Sequence, residues 1–292
     1  MSKTLTFEAI GTHWWIEIFD DISDKELESV AGRLELLSST FNSEYSRFRD
    51  DSYIGILNRE RRLENPTEEC RALLTYGKEL YLRSNGTFNL LTGHILEARG
   101  YDASYSFKTA DNLAEQKVCN PLTNLTITDA EITLACGNVD LGGYGKGWLI
   151  DKLSNNLKEH GIEHFLVNGG GDMYGTSNAG GVAIEIYLEH PTEVGQYLTE
   201  TKLLNQGFAA SSPFKRRWKS GDKTYTHVVA ITDVPEIATF VKATTATDAD
   251  AFATVAMLAP EASLPALAET ESLAIARFDP LTSQLWRTSN FI

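Results

Sequence analysis

The chain reads as an α+β protein. Segments with hairpin-like spacing dominate, the predicted helices are too few to cover a doubly wound parallel sheet, and no internal repeat or low-complexity linker divides the sequence. Its 292 residues are enough to bury a substantial core as one large domain or two small ones.

Taken in order, Trp14 to Phe19 alternates as a strand. Ser23 to Phe41 follows as a helix opened by a capping box, Ser23 with Glu26, and an Ile22–Leu27 staple. Asn65 is expected to cap the next helix with Pro66 at its first position. Cys70, Leu73, Leu74, Gly77, Leu80 and Tyr81 form that helix's buried face until Gly86. The segment from Gly100 to Ala135 is at most a crossover between lobes. Strands are predicted at Leu125–Ile127, Glu131–Ala135, His164–Asn168, Val182–Leu188, Thr199–Leu204, Tyr225–Ile231 and Ala274–Asp279.

A net charge of −14, from 26 Lys+Arg against 40 Asp+Glu, argues against a nucleic-acid surface or a dock on anionic membrane. One basic run, Lys215-Arg216-Arg217-Trp218-Lys219, stands out; it suits a phosphate or an acidic partner, and equally a solvated loop between strands, the reading preferred here. No apolar span of membrane length occurs, and MSKTLTFEAIGTHWWIEIF carries neither a signal-peptide pattern nor a lipid-attachment cysteine. Cys70, Cys119 and Cys136 are odd in number and widely spaced, which leads to the expectation of reduced thiols in a cytoplasmic protein. Cys70 falls on a buried helical stripe and packs there as a small apolar residue.

Two glycine-dense turns flank one helix-plus-strand unit: VDLGGYGKGWLID at Val139–Asp151 and VNGGGDM at Val167–Met173. Gly142, Gly143, Gly145 and Gly147 strip Cβ from four positions around Lys146, letting backbone N–H groups approach a ligand. The following helix, capped by Gly161, would aim its positive N-terminal end at the same spot. The P-loop pattern is excluded, because Asp140 stands at its first glycine and Gly147 at its hydroxyl. A phosphate-handling site and a pair of merely tight turns both fit one cluster; two clusters favour the former.

Lys242–Pro260, KATTATDADAFATVAMLAP, reads as a helix capped by Thr247, with Asp248 and Asp250 in its first turn and Pro260 stopping it. Asp250 and Thr254 share a face one turn apart, so a carboxylate and a hydroxyl converge as hard-cation ligands. On spacing alone, acids that only complement the helix dipole are the preferred reading.

With AIGT at Ala9–Thr12, SRFRDDSYIGILN at Ser46–Asn58, GTFNLLTG at Gly86–Gly93, THVV at Thr226–Val229 and ADAFAT at Ala249–Thr254, these segments resemble, in order and spacing, the signatures of the ApbE family, the FAD:protein FMN transferases. The resemblance spans nearly the whole chain. It implies one domain over residues 1–292 built as two closely packed lobes, with mixed, largely antiparallel sheets, flanking helices and the flavin nucleotide between the lobes. It also implies Mg²⁺-dependent transfer of FMN from FAD to a threonine hydroxyl of an acceptor flavoprotein, releasing AMP; some members instead hydrolyse FAD. Carried over by position, Gly143 (through its carbonyl), Asp250 and Thr254 would hold Mg²⁺. Asp140 and Lys146 would contact FAD, and Ile10, Phe48, Thr87, Phe88, Asn89 and Val229 would line its site. His227 and Asp250 would be the catalytic pair.

Three departures bear on mechanism. Ala230 stands where the family commonly has an acid after the histidine segment, Asn89 replaces a usual Asp with Leu90 after it, and Phe48 replaces a frequent Tyr. These weaken the case for fast threonine activation more than for FAD and metal binding, and they keep two alternatives open: an FAD pyrophosphatase and a non-catalytic flavin binder.

Overall fold

The computed structural model describes residues 2–230 and 233–291. The chain forms two compact units, each assembled from discontinuous segments: residues 1–40, 144–212 and 236–292 in the first, 41–143 and 213–235 in the second. The Gly100–Ala135 segment, expected to cross between lobes, lies wholly within the second unit.

In chain order the elements are β1 (Lys3–Ala9), β2 (Thr12–Ile18), α1 (Asp24–Tyr45), α2 (Tyr53–Glu60), β3 (Arg62–Glu64), α3 (Glu68–Arg83), α4 (Gly93–Ala98), α5 (Pro121–Asn124), β4 (Leu125–Ile127), β5 (Glu131–Leu134), α6 (Gly145–Glu159), β6 (Phe165–Gly169), β7 (Asp172–Gly175), β8 (Ile184–Glu189), β9 (Tyr197–Leu203), β10 (Gln206–Ser211), β11 (Arg217–Ser220), β12 (Lys223–Thr226), β13 (Ala238–Ala243), α7 (Ala246–Leu258), α8 (Leu264–Thr270), β14 (Ala274–Asp279) and β15 (Gln284–Arg287).

The first unit is built on an eight-stranded sheet in the order β1-β2-β6-β7-β10-β13-β14-β15, antiparallel at every pairing. Helices α6 and α7 pack against it. The β8–β9 hairpin supplies Ile184, Ile186, Leu188 and Leu203 to a core shared with Leu166, Phe208, Phe240, Ala276 and Phe278 of the sheet. Covered on both sides, β13 is buried at all six positions. An antiparallel strand that faces no water loses its alternation, and for that reason ATFVKA gave no strand signal in the sequence.

The second unit holds a three-stranded sheet β3-β5-β4, the β11–β12 hairpin, and α2 to α5.

Several local expectations hold. The Ser23–Glu26 capping box forms with both reciprocal bonds: Ser23 N–H donates to Glu26 Oε2 (2.7 Å) and Glu26 N–H to Ser23 Oγ (3.2 Å). Cys70, Leu73, Leu74, Gly77 and Leu80 are buried on α3. Others are corrected. Thr67, not Asn65, caps α3, because Asn65 sits at φ +48° in the turn before it. Thr245, not Thr247, caps α7 and accepts from Asp248 N–H. The strand expected from Tyr225 to Ile231 ends at Thr226, and Ile231 lies outside the described residues. The basic run at Lys215 is not a loop between strands, since Arg217, Trp218 and Lys219 belong to β11. Cys119 and Cys136 are joined in a disulfide, which overturns the expectation of three reduced thiols; Cys70 alone is free and buried.

Candidate active site

Helices α6 and α7 meet at their N-termini, where each is capped by a carboxylate of the other. Asp151 of α6 accepts from Ala246 N–H (2.8 Å), Thr247 N–H (2.8 Å) and Thr247 Oγ1 (2.6 Å) of α7. In return, Asp250 of α7 accepts from Gly147 N–H of α6 at 3.0 Å. Each carboxylate satisfies otherwise orphaned donors and sits at the positive end of the helix it caps. The close approach depends on Gly147, since a Cβ there would lie 2.3 Å from the Ala246 carbonyl oxygen.

Lys146 occupies the middle of this junction. Its ammonium contacts Asp172 Oδ2 at 2.6 Å and Asp250 Oδ1 and Oδ2 at 3.1 and 3.3 Å. The lysine expected at FAD thus holds Asp172 and Asp250 in this structure. Burial opposes its charge, but Asp172 and Asp250 outweigh that and hold it protonated. One ammonium does not satisfy two carboxylates, however. Burial pushes the Asp172 carboxyl up, against the pull of Lys146 and with the push of Asp250. Asp172, which also accepts from Ala210 N–H at 3.2 Å, was not singled out in the sequence; the signal available was the acid that directly follows the glycines of VNGGGDM.

Thr254, one turn beyond Asp250, lies 3.4 Å from Ser211 Oγ of β10. Asp250 and Thr254 are thus brought to one helix face, as their spacing implied. The two buried acids and this hydroxyl are hard oxygen donors, and the surplus negative charge beside Lys146 suits a cation. Among the described residues no cluster of three or more His, Cys, Asp and Glu has metal-binding geometry. Ile10, also in the first unit, stands apart in the β1–β2 turn at φ +44°.

The remaining candidates belong to the second unit. Asp140 is ion-paired to the buried Arg47, and its Oδ1 accepts from Gly142 N–H, so its carboxylate is largely occupied. Arg47 also lies 4.0 Å over the Phe48 ring, and donates to the Tyr101 carbonyl at 2.8 Å. It thereby gathers Phe48, Tyr101 and Asp140 around one guanidinium, a role sequence reading missed although Arg47 lies inside SRFRDD. Phe48 contacts Tyr101 edge-on, with centroids 5.8 Å apart. Phe88 is buried, and a Cβ at Gly143 would meet its ring at 2.5 Å. Thr87 precedes it in the turn after α3, its N–H on the Ser84 carbonyl. Asn89 serves the backbone: its amide donates to the Cys119 carbonyl at 2.9 Å and accepts from Leu91 N–H at 2.8 Å. His227 directly follows β12, its Nδ1 3.4 Å from the Arg216 carbonyl, and Val229 is half-buried two residues on.

The sequence matches the ApbE family over residues 10–277. Among characterised relatives, the FAD:protein FMN transferase of Vibrio cholerae is 23% identical over 93% of this chain and 85% of its own length. That of Haemophilus influenzae is 22% identical over 77% of this chain and 70% of its own. Among solved structures, an ApbE protein from Thermotoga maritima superposes with a TM-score of 0.87 at 17% identity, covering 100% of this chain and 98% of its own. The flavin transferase ApbE from Vibrio cholerae superposes with a TM-score of 0.81 at 18% identity, with the same coverage. With the family pattern extending over most of its length and the same fold throughout, the chain belongs to the ApbE family.

Proposed function

We propose that this protein is an FAD:protein FMN transferase that takes FAD as substrate and passes FMN to a threonine of an acceptor flavoprotein. The observation that carries the reading is the buried centre of Lys146, Asp172 and Asp250, in which two acids face one ammonium and leave a negative charge for a cation to neutralise. Asp250 and Thr254, with the carbonyl of Gly143, would hold Mg²⁺; when bound, that ion would neutralise charge on the pyrophosphate of FAD.

This chain's own residues would do the rest. Lys146 and Gly147 N–H fix the Asp250 carboxylate, and Asp172 anchors Lys146, so the ligand is oriented before anything binds. Phe48 and Tyr101, ordered around Arg47, suit a planar heterocycle. In the transfer, the threonine Oγ bonds to the FMN phosphorus, the P–O bond to AMP breaks, and AMP leaves with the electron pair. His227 would take the hydroxyl proton. With Ala230 in place of the family's acid, no carboxylate follows His227 within the THVVA segment, which favours slow transfer and a leak to water; this keeps FAD hydrolysis as the second reading.

Purified protein given FAD and Mg²⁺ should release AMP, and a threonine-bearing acceptor should gain covalent in-gel flavin fluorescence. Binding of FAD with no AMP or FMN formed would favour the non-catalytic alternative. The ratio of protein-bound to free FMN should fall in His227→Ala and rise in Ala230→Asp; an unchanged ratio in both removes His227 from the mechanism.

No helix among the described residues is long and apolar enough to cross a membrane. The Cys119–Cys136 disulfide fits an oxidising compartment better than the expected cytoplasm. Thiol counting under denaturing conditions, without reductant, should find one reactive cysteine rather than three.

A further inference from the structure

On a chain of net charge −14, residues 213–226, PFKRRWKSGDKTYT, concentrate Lys215, Arg216, Arg217, Lys219 and Lys223 against the single acid Asp222. The hairpin they form has two distinct faces. Trp218 points inward, its indole N–H on the Arg99 carbonyl at 2.9 Å and its ring stacked on Tyr101 at 5.7 Å. Strand alternation then turns Arg217 and Lys219 outward, and both are exposed.

Beside the hairpin, residues 100–108 form a tightly closed loop. Phe107 N–H donates to the Gly100 carbonyl, and a Cβ on Gly100 would lie 2.3 Å from Lys108 N, so only glycine closes it. Inside, the Asp102 carboxylate accepts from the backbone N–H and the hydroxyl of both Ser104 and Ser106. The loop is docked to the hairpin through Thr109 N–H on Ser220 Oγ (3.0 Å) and through Phe107 against Trp218 (5.4 Å). What it displays is Tyr105 and Phe107, 46% and 40% exposed, at φ +50° and +51°. Two aromatic residues held at positive φ are strained, and although one side of each ring packs on Trp218 or Tyr101, the other is left in solvent. Exposed aromatics rimmed by cations have the composition of a protein-recognition patch.

We infer that the β11–β12 hairpin and the 100–108 loop dock the acceptor protein, and that the acceptor presents an acidic surface around its reactive threonine. The inference rests on the transferase reading, because His227, the residue proposed to take the threonine proton, directly follows β12 and sits on the Arg216 carbonyl. A partner steered to the hairpin arrives beside that histidine. Complementary charge would chiefly set the encounter rate and exclude basic partners, which the acidic remainder of the chain would otherwise attract.

The test uses the full chain and three fluorescein-labelled peptides with a central threonine flanked by aspartates, serines or lysines. Binding is read by anisotropy and FMN transfer by mass spectrometry, with AMP release from FAD in water as the basal activity. The aspartate peptide should bind and be labelled best. Its KM should rise about tenfold in Lys215→Glu/Lys219→Glu, and less in Lys215→Gln/Lys219→Gln, while AMP release stays at wild-type level. Raising salt from about 50 to about 300 mM should erase the preference in wild type, a measurement that needs no mutant. No preference for the aspartate peptide, or one that survives charge reversal, overturns the inference. So does a changed KM for FAD, which would make the hairpin a nucleotide contact, or binding to phosphatidylcholine–phosphatidylserine vesicles that is lost in the variant, which would make it a membrane contact. Absence of AMP and FMN in wild type would instead sink the transferase reading.

Discussion

Each unit contains a buried cluster of two acids and one base, and the two handle the same surplus charge differently. In the second unit Arg47 faces Asp140 and Glu97, and the Glu97 side chain keeps 37% of its surface in water. In the first, Lys146 faces Asp172 and Asp250, whose side chains are only 5% and 8% exposed. Water reaches over a third of the Glu97 side chain, whereas both acids at Lys146 are almost wholly enclosed. A buried charge left uncompensated costs several kcal/mol even after relaxation, so the first cluster is held short of neutrality until a cation or a proton arrives. The solvent access of the surplus carboxylate is what distinguishes the two clusters.

The largest expected effect comes from removing the base. Lys146→Met should cost about 3–5 kcal/mol in metal-free denaturant unfolding, because it strands two buried carboxylates. Arg47→Met should cost less, about 1–3 kcal/mol, since Glu97 can turn to water. The reverse ranking would break the comparison.

On the catalytic side, Asp250→Ala should lower AMP release by about 10²–10³-fold. Asp248→Ala should be mild, because its carboxylate belongs to neither helix-capping exchange nor the Lys146 cluster. Equal losses in the two variants would mean that these acids matter only through the helix dipole.

Asp172→Asn sharpens the charge count. It removes the surplus negative charge, so the metal-free protein should gain about 1 kcal/mol, or about 2–4 °C in Tm, while the Tm rise produced by Mg²⁺ shrinks. A destabilised variant with an undiminished Mg²⁺ response would show that Asp172 is structural only.

The smallest effect concerns acid. Burial raises the Glu97 carboxyl above its ordinary value of 4.5, outweighing the pull of Arg47. A folded-state value above the unfolded one means the native state binds the extra proton. Stability should therefore rise as pH falls through the raised value and level off near the unfolded one. Glu97→Gln should flatten that segment of the stability–pH curve, and an unchanged slope would assign it to another group.

The sequence revealed what is local. The capping box at Ser23, the buried stripe of α3 and the Asp250–Thr254 face are all set within a few residues, and each formed. The Lys146–Asp172 and Lys146–Asp250 pairs close over 26 and 104 residues, a distance at which no periodicity survives; the motifs flagged both segments but not their contact. The 17-residue spacing of Cys119 and Cys136 likewise carries no pattern of its own. Capping by Thr245 in place of Thr247 was hidden for a related reason. Asp151, 96 residues away, takes the Thr247 hydroxyl, and the cap falls to Thr245.

The order of strands in the eight-stranded sheet also bears on how the protein is made. Its edges, β1–β2 and β14–β15, come from opposite ends of the described chain, and between them in sequence lies the whole of the second unit. During synthesis β2 must wait for β6, nearly 150 residues later, and the sheet remains open until β15 has left the ribosome. Its last seal comes later still, when the fully buried Phe291 enters the core and its carbonyl accepts from Thr201 Oγ1. Pairing over such separations is slow and leaves strand edges unprotected in the meantime. The nascent chain thus keeps strand edges exposed to aggregation until β15 is made, by which time Asp172 and Asp250 are already in the chain.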